Sequence, residues 1–294
     1  MHLTEYQEQA QATDQLPAGD PNAIVVPLLG MAGEVGSLLV EYKKYLRDKD
    51  AHVLFPAHVA EELGDILWYL ANTATKFGLN LNAIAAANLA KTRDRWPPAG
   101  SPENYRLFDD RFPEQEQLPR TFRADITDGL GPEGKPRITL TIDGVQAGDP
   151  LQDNAYDDDG YRFHDVFHLA HAAKLGWSPV LRGKLLTPGR KRRSDPEVNE
   201  VEDGGRAIVL DEAIVAYIWE YARRHRFLDG VTTVDYTVLK TIRQLTGGLE
   251  VAARTAHDWE EAILAGYRVF REVRARGGGA LAVDLRTRSI DVVA

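Results

Sequence analysis

A chain of 294 residues (32.7 kDa), 44% hydrophobic and 27% charged, has the composition of a soluble globular protein and room for one large domain or two ordinary ones. It contains no cysteine, which excludes disulfides and thiolate metal sites and fits a reducing cytoplasm, the expected location. The net charge of −9 argues against general nucleic-acid binding, so no stable nucleic-acid partner is expected, but it suits a site for divalent cations.

The opening "MHLTEYQEQAQATDQ" is polar and lacks the apolar core of a signal peptide. Within it "TEYQEQAQAT" reads as a first helix. A second runs from about Val26 to Arg47 and a third from about Pro56 to Phe77. "LNAIAAANLAKTRDRW" reads as a fourth, stopped by "PPAG". Short connections predict an antiparallel four-helix bundle over residues 1–97. The longest apolar run, Ala23 to Val40, is interrupted by Pro27 and Glu34, so neither a membrane-spanning helix nor a membrane partner is expected. The polar stretch 98–119 reads as a linker to a C-terminal domain, residues 120–294. There "TFRADITDG" and "KPRITLTIDG" alternate apolar and polar residues around a Gly/Pro turn and predict a hairpin. A helical region follows from about Tyr161 to Ala275, and "GGGALAVDLRTRSIDVV" predicts a second small hairpin. The expected fold class is mainly α: an all-α four-helix bundle, then an α+β domain of helices with small hairpins.

In the third predicted helix, "EELGDILWYL" sets Glu61, Glu62 and Asp65 beside a run of large apolar residues. A core stripe of Val59, Leu63, Ile66, Leu67 and Leu70 leaves Glu62 and Asp65 on its shoulder, one turn apart and able to converge on one cation. Glu61 reads as a solvated face. On the second helix, Glu34 and Glu41 are two turns apart and share a face. If the two helices pack antiparallel, Glu34, Glu41, Glu62 and Asp65 form an all-oxygen pocket for magnesium or manganese, and four desolvated carboxylates would repel one another without the ion. On the fourth helix Asn88, Lys91 and Arg95 line one stripe suited to a metal-bearing polyphosphate, or the two cations merely solvate the helix C-terminus. Tyr6, Gln7 and Trp68 are candidates for contact with a base, with bundle packing as the alternative for Tyr6 and Trp68.

"YQEQA…T", "GMAGEVGSLLVEYKK", "EELGDILWYLA" and "NLAKTRDRW" together resemble the MazG-type all-α nucleoside triphosphate pyrophosphohydrolases over about the first hundred residues. The resemblance implies that Glu34, Glu62 and Asp65 are catalytic magnesium ligands, with Ser37 standing where the family carries a second glutamate and Glu41 as its replacement one turn on. It further implies hydrolysis of an NTP or dNTP to nucleoside monophosphate and pyrophosphate, an Asn-x-x-Lys beside the substrate, and a homo-oligomer, dimer or tetramer. Ser37 also leaves open a catalytically weak nucleotide-sensing module.

The C-terminal part holds "YRFHDVFHLAHAAKLGW", in which His164, His168 and His171 fall on one helical face. They form a candidate second site, for a transition metal. Glu202, Asp203, Asp211 and Glu212 are potential partners downstream. The alternative is that the histidines hydrogen-bond within a helical core. A loop with Arg182, Lys184, Arg190, Lys191, Arg192 and Arg193 is basic in an otherwise acidic chain. "GDPLQDNAYDDDGYRFHDVFHLAH", "GWSPVLRGKL", "KRRSDPEVNEVEDGGRA" and "DEAIVAYIW" resemble the domain that accompanies some MazG-like enzymes at their C-terminus. A metal-dependent phosphohydrolase centred on the histidine-rich helix is therefore the other functional expectation.

Overall fold

The computed structural model describes residues 1–16, 20, 22–98, 105–186 and 189–293. The fold is mainly helical with one small antiparallel sheet, and it divides into two compact units, Met1–Arg93 and Asp94–Ala294.

The first unit contains α1 (Leu3–Ala12), α2 (Val25–Asp48), α3 (Phe55–Lys76) and α4 (Leu81–Arg95, whose last two residues belong to the second unit). Helix α2 packs against α3, and α1 against α3. Pro27 falls inside α2 near its start, as the expected helix from about Val26 implies. It lies in the first turn, where its missing N–H has no intrahelical acceptor, so the helix continues unbroken through Glu34. The segment Val25–Ala51 contains an 18-residue window of mean hydropathy 1.3, enough to cross a membrane by length and composition alone. It also carries Glu34, Glu41, Lys43, Lys44 and Arg47.

Buried apolar side chains are few here. Ala10, Ala71 and Leu81 form a small core, flanked by Leu3, Tyr6, Leu67 and Trp68. Leu63 and Leu70, expected in the core stripe, are exposed, because α1 covers the neighbouring face that carries Leu67, Trp68 and Ala71. Gln7 holds the end of the unit together: its amide donates to Thr75 Oγ1 (3.0 Å) and the Leu79 carbonyl (2.8 Å) and accepts from Leu81 N–H (2.7 Å).

The second unit has a five-stranded sheet of order β3-β2-β1-β4-β5, made of β1 (Thr121–Leu130), β2 (Pro136–Ile142), β3 (Val145–Gln146), β4 (Gly278–Asp284) and β5 (Ser289–Val293). The C-terminal hairpin is not separate. β4 pairs antiparallel with β1, Ala124 opposite Leu281, so both hairpins make one sheet. Gly278 is required at that junction: with φ 130° it closes on β1, and a Cβ there would lie 2.5 Å from the Ile126 carbonyl oxygen.

Between β3 and β4 come α5 (Asp165–Leu175), α6 (Pro179–Lys184), α7 (Pro196–Val201), α8 (Gly205–Arg223), α9 (Tyr236–Leu245) and α10 (Ala256–Arg276). α5 and α10 pack on each other and on β4 and β5. α5 is buried along almost its whole length, which explains its Val, Phe, Leu and Ala content and makes its three histidines conspicuous. Residues 105–119, expected as part of a linker, are instead packed into this unit. Leu118 is in the core, and Asp109 is buried, accepting from Leu118 N–H, Arg120 and Arg182 at 2.7 Å each. The remaining linker residues 99–104 lie outside the described residues.

Candidate functional site

The register of α2 on α3 positions the acids. Gly30 gives the Tyr69 ring room to approach α2, and farther along Glu41 Oε2 meets His58 Nδ1 at 2.8 Å. Between these two contacts the helices run in opposite directions. Four residues forward from Gly30 is Glu34, and four back from Tyr69 is Asp65, so these two are level. One turn further, Ser37 is level with Glu62. The Glu62 carboxyl titrates above the ordinary glutamate range, through desolvation first, then a hydrogen bond and charge shared with Glu34, then the charges of Glu61 and Asp65. Glu34, Glu62 and Asp65 thus lie on adjacent turns of the facing helices and act on one another's charge, but they are not among the groups whose ligand atoms converge within 4.8 Å.

Glu41, expected as the fourth ligand, is drawn elsewhere. It is buried, and accepts from Lys44 Nζ (2.5 Å), His52 Nε2 (2.9 Å) and His58 Nδ1 (2.8 Å). Lys44 foremost, then His58, holds its carboxyl down to about 2. Glu41 shares a face of α2 with Glu34, but two turns of rise carry it level with His58 rather than Glu62. His52 and His58 were missed by the sequence reading. "HVLFPAH" flanks the start of α3 rather than lying on one helix face, so no periodicity announced it.

Other expected substrate residues divide sharply. Asn88 and Lys91 are exposed on α4, and neither makes a hydrogen bond or ion pair among the described residues. Arg95 is buried in the second unit, where it donates to the Val234 carbonyl (2.7 Å) and pairs with Glu260 (3.1 Å). It is therefore not part of an exposed stripe with Asn88 and Lys91. Gln7 is spent on the backbone and hydroxyl partners given above. Tyr6 and Trp68 pack on the small core, and Trp68 Nε1 donates to Thr13 Oγ1 at 2.8 Å. For these three, packing is the observed role.

In the second unit, the three histidines share α5 but not one environment. Asp211 of α8 is fully buried and used from four directions. Its Oδ1 lies 3.0 Å from His171 Nδ1 and 3.1 Å from His168 Nδ1, while its Oδ2 accepts from Ser178 Oγ (2.7 Å) and Val180 N–H (3.3 Å). Burial alone would raise the Asp211 carboxyl and lower the His168 imidazole, but their mutual attraction outweighs both, so Asp211 stays ionised and His168 holds a proton more tightly than an ordinary histidine in the metal-free chain. His164, also buried, sits below the ordinary histidine value because desolvation dominates. The downstream acids separate likewise. Asp211 and Glu212 reach the histidines, whereas Asp203 pairs with the buried Arg193 (2.8 Å) and with Arg182 (3.2 Å), and Glu202 accepts from Glu250 N–H (2.9 Å). The "basic loop" is thereby dispersed: Arg182 and Arg193 are interior, Lys184 pairs with Asp165 at 2.8 Å, and Arg190 donates to backbone carbonyls.

Three groups among the described residues bring metal-ligating atoms within 4.8 Å of one another: Glu41, His52 and His58; His164, His168 and Glu212; and His168, His171 and Asp211.

Comparison with known proteins adds two findings. Residues 103–294 match the family model described as the MazG C-terminal domain. The chain is also 35% identical over 101 residues to the "Gene 37 protein" of Mycobacterium phage L5, an alignment spanning 32% of this chain and 89% of that protein. No solved structure matches.

Proposed function

Since the chain belongs to the family of the MazG C-terminal domain, we propose that its N-terminal unit is a magnesium-dependent, cytoplasmic nucleoside triphosphate pyrophosphohydrolase, with manganese as a substitute ion. The observation that supports this reading is the register of α2 on α3, in which Glu34 is level with Asp65 and Glu62 lies one turn away. Desolvation first, and then the neighbouring acids, raise the proton affinity of Glu62; a divalent cation relieves the charge repulsion in the set, and all-oxygen donors suit a hard ion. Magnesium bound there would offset phosphate charge and make a bound water more acidic. A carboxylate of the set not spent on the ion would orient the attacking water and accept its proton. Lys91 and Asn88, free on α4, would hold the phosphates. Water attack between the α and β phosphates then yields a nucleoside monophosphate and pyrophosphate.

The exposed apolar surface of this unit, including Leu29, Leu39 and Leu63, supports a homo-oligomer as the working form. The test is pyrophosphate release from a panel of ribo- and deoxyribonucleoside triphosphates with magnesium, for the wild type and Asp65→Asn. Release by the wild type and its loss, by about 100-fold or more, in the variant are expected. Unchanged turnover in Asp65→Asn removes Asp65 from the site, and no release from any nucleotide overturns the activity.

A further inference from the structure

Of the two overlapping histidine groups in the second unit, only one has lone pairs to spare. In the group of His168, His171 and Asp211, both Asp211 oxygens are already used, Oδ1 by His171 Nδ1 and Oδ2 by Ser178 Oγ and Val180 N–H. The group of His164, His168 and Glu212 differs. His164 Nδ1 stands 2.9 Å from the Tyr161 carbonyl, so it carries the proton and leaves Nε2 as a lone pair. That lone pair faces Glu212 Oε2 at 3.8 Å and Asp165 Oδ1 at 3.9 Å, separations too long for hydrogen bonds. Asp165 Oδ1 is itself buried and has no hydrogen-bond partner, although the other oxygen pairs with Lys184. His168 turns Nδ1 toward Asp211 and Nε2 toward Glu212, at 3.3 Å. A nitrogen lone pair and two carboxylate oxygens turned toward one another repel unless a cation lies between them.

We propose that His164 Nε2, His168 Nε2 and Glu212 Oε2 bind a divalent transition-metal ion, such as zinc, iron(II) or manganese, with Asp165 Oδ1 beside them as a further oxygen donor. Two imidazoles with carboxylate oxygens favour these ions over magnesium. Bonds of about 2.1 Å place neighbouring ligands up to about 4 Å apart, so small side-chain shifts close the set around an ion. The outer contacts support the site: Tyr161 O accepts from the far nitrogen of His164 at 2.9 Å and fixes its tautomer, and the Asp211 carboxylate lies 3.1 Å from the far nitrogen of His168, close but without hydrogen-bond geometry. Glu212 is 41% exposed at its side chain, which leaves the ion an open side toward solvent. His171 is assigned outside the ligand set, as a support for Asp211.

The test uses the full-length chain carrying Asp65→Asn and His58→Gln, so that binding at the acids and at the Glu41, His52 and His58 group of the first unit is suppressed independently, and titrates cobalt(II) while recording its visible absorption. One ion per chain with the intensified bands of a nitrogen-ligated, low-coordinate centre is expected. Glu212→Gln and His164→Gln, checked for unchanged urea unfolding in chelator, should each weaken binding by more than the about 10–100-fold typical of losing an outer partner, and His171→Gln by less than either. If both ligand variants bind as the wild type does, the site is wrong. Should either variant unfold, nitrogen NMR of the wild type with zinc decides, because Nε2 of His164 and His168 must shift together. No shift leaves His168 as a buried imidazolium between Asp211 and Glu212 and overturns the proposal.

Discussion

At Glu62 the folded chain holds a proton more tightly than the unfolded chain does, because desolvation and the neighbouring Glu34 and Asp65 disfavour the carboxylate. A raised folded-state pKa contributes stability that is fully present below the unfolded value and is lost as pH rises through the folded value. Without metal, the N-terminal unit should therefore weaken as pH rises from just below to just above the usual glutamate range, and Glu62→Gln should flatten that slope. Urea midpoints across this range in chelator measure it, and an unchanged slope in the variant would separate Glu62 from the other acids. Ser37 makes the companion case. Level with Glu62 on the facing helix, it occupies a position where a fourth carboxylate would join the set. Ser37→Glu should tighten magnesium binding severalfold by calorimetry and lower the metal-free melting temperature, since one more charge enters the repulsion. Weaker magnesium binding in this variant would mean that the two helices do not present that level to a common ion.

At the scale of elements, the pair α5 and α10 holds the histidine-bearing face in place. Their close approach depends on Gly266, where a Cβ would stand 3.1 Å from Phe167 Cδ1 and 3.2 Å from Ala170 Cβ. Both neighbours are buried beside Phe270 and Tyr267, so neither has room to retreat. Gly266→Val is expected to cost about 1–3 kcal/mol by overpacking. Urea denaturation of the second unit, followed by its tryptophans, reads that cost, while pyrophosphate release by the first unit should persist. A variant as stable as the wild type would show that α5 and α10 can separate slightly without penalty.

For the whole molecule, the contrast between the two units is in how they bury their apolar residues. The second unit encloses a continuous core around Trp259, Phe270 and Leu169, whereas the first leaves Leu29 67%, Leu39 63% and Leu63 50% exposed. A helical unit with so much uncovered apolar surface needs a partner to hide it. In the homo-oligomer proposed above, Leu39→Glu should shift sedimentation to a smaller species at micromolar concentration. A wild type that is monomeric without detergent would exclude the oligomer, and one that sediments with membranes would assign the apolar helix α2 to a bilayer instead.

The helices of the first unit and the strands of the two hairpins were legible in the sequence because each has a local cause, whereas α5 to α10 read only as one helical region. Periodic apolar residues mark α2 and α3, "PPAG" follows α4 directly, and alternation about a Gly/Pro turn marks β1 and β2, so observed ends fall within a residue or two of the expected ones. Helical spacing likewise sets Glu62 and Asp65 one turn apart on α3 and Glu34 and Glu41 on one face of α2. What spacing along a chain does not contain is register between elements. Whether Glu41 lies level with Glu62 or with His58 depends on how far α3 slides along α2, which the close approach of Tyr69 to Gly30 decides. Arg95 and Gln7 likewise carry side chains that suit a substrate as well as a buried carbonyl, and only the packed neighbours chose the latter. The three histidines stand on one face by sequence, but Asp211 and Glu212 reach them from a helix some forty residues downstream, and it is that tertiary contact which divides His171 from His164 and His168.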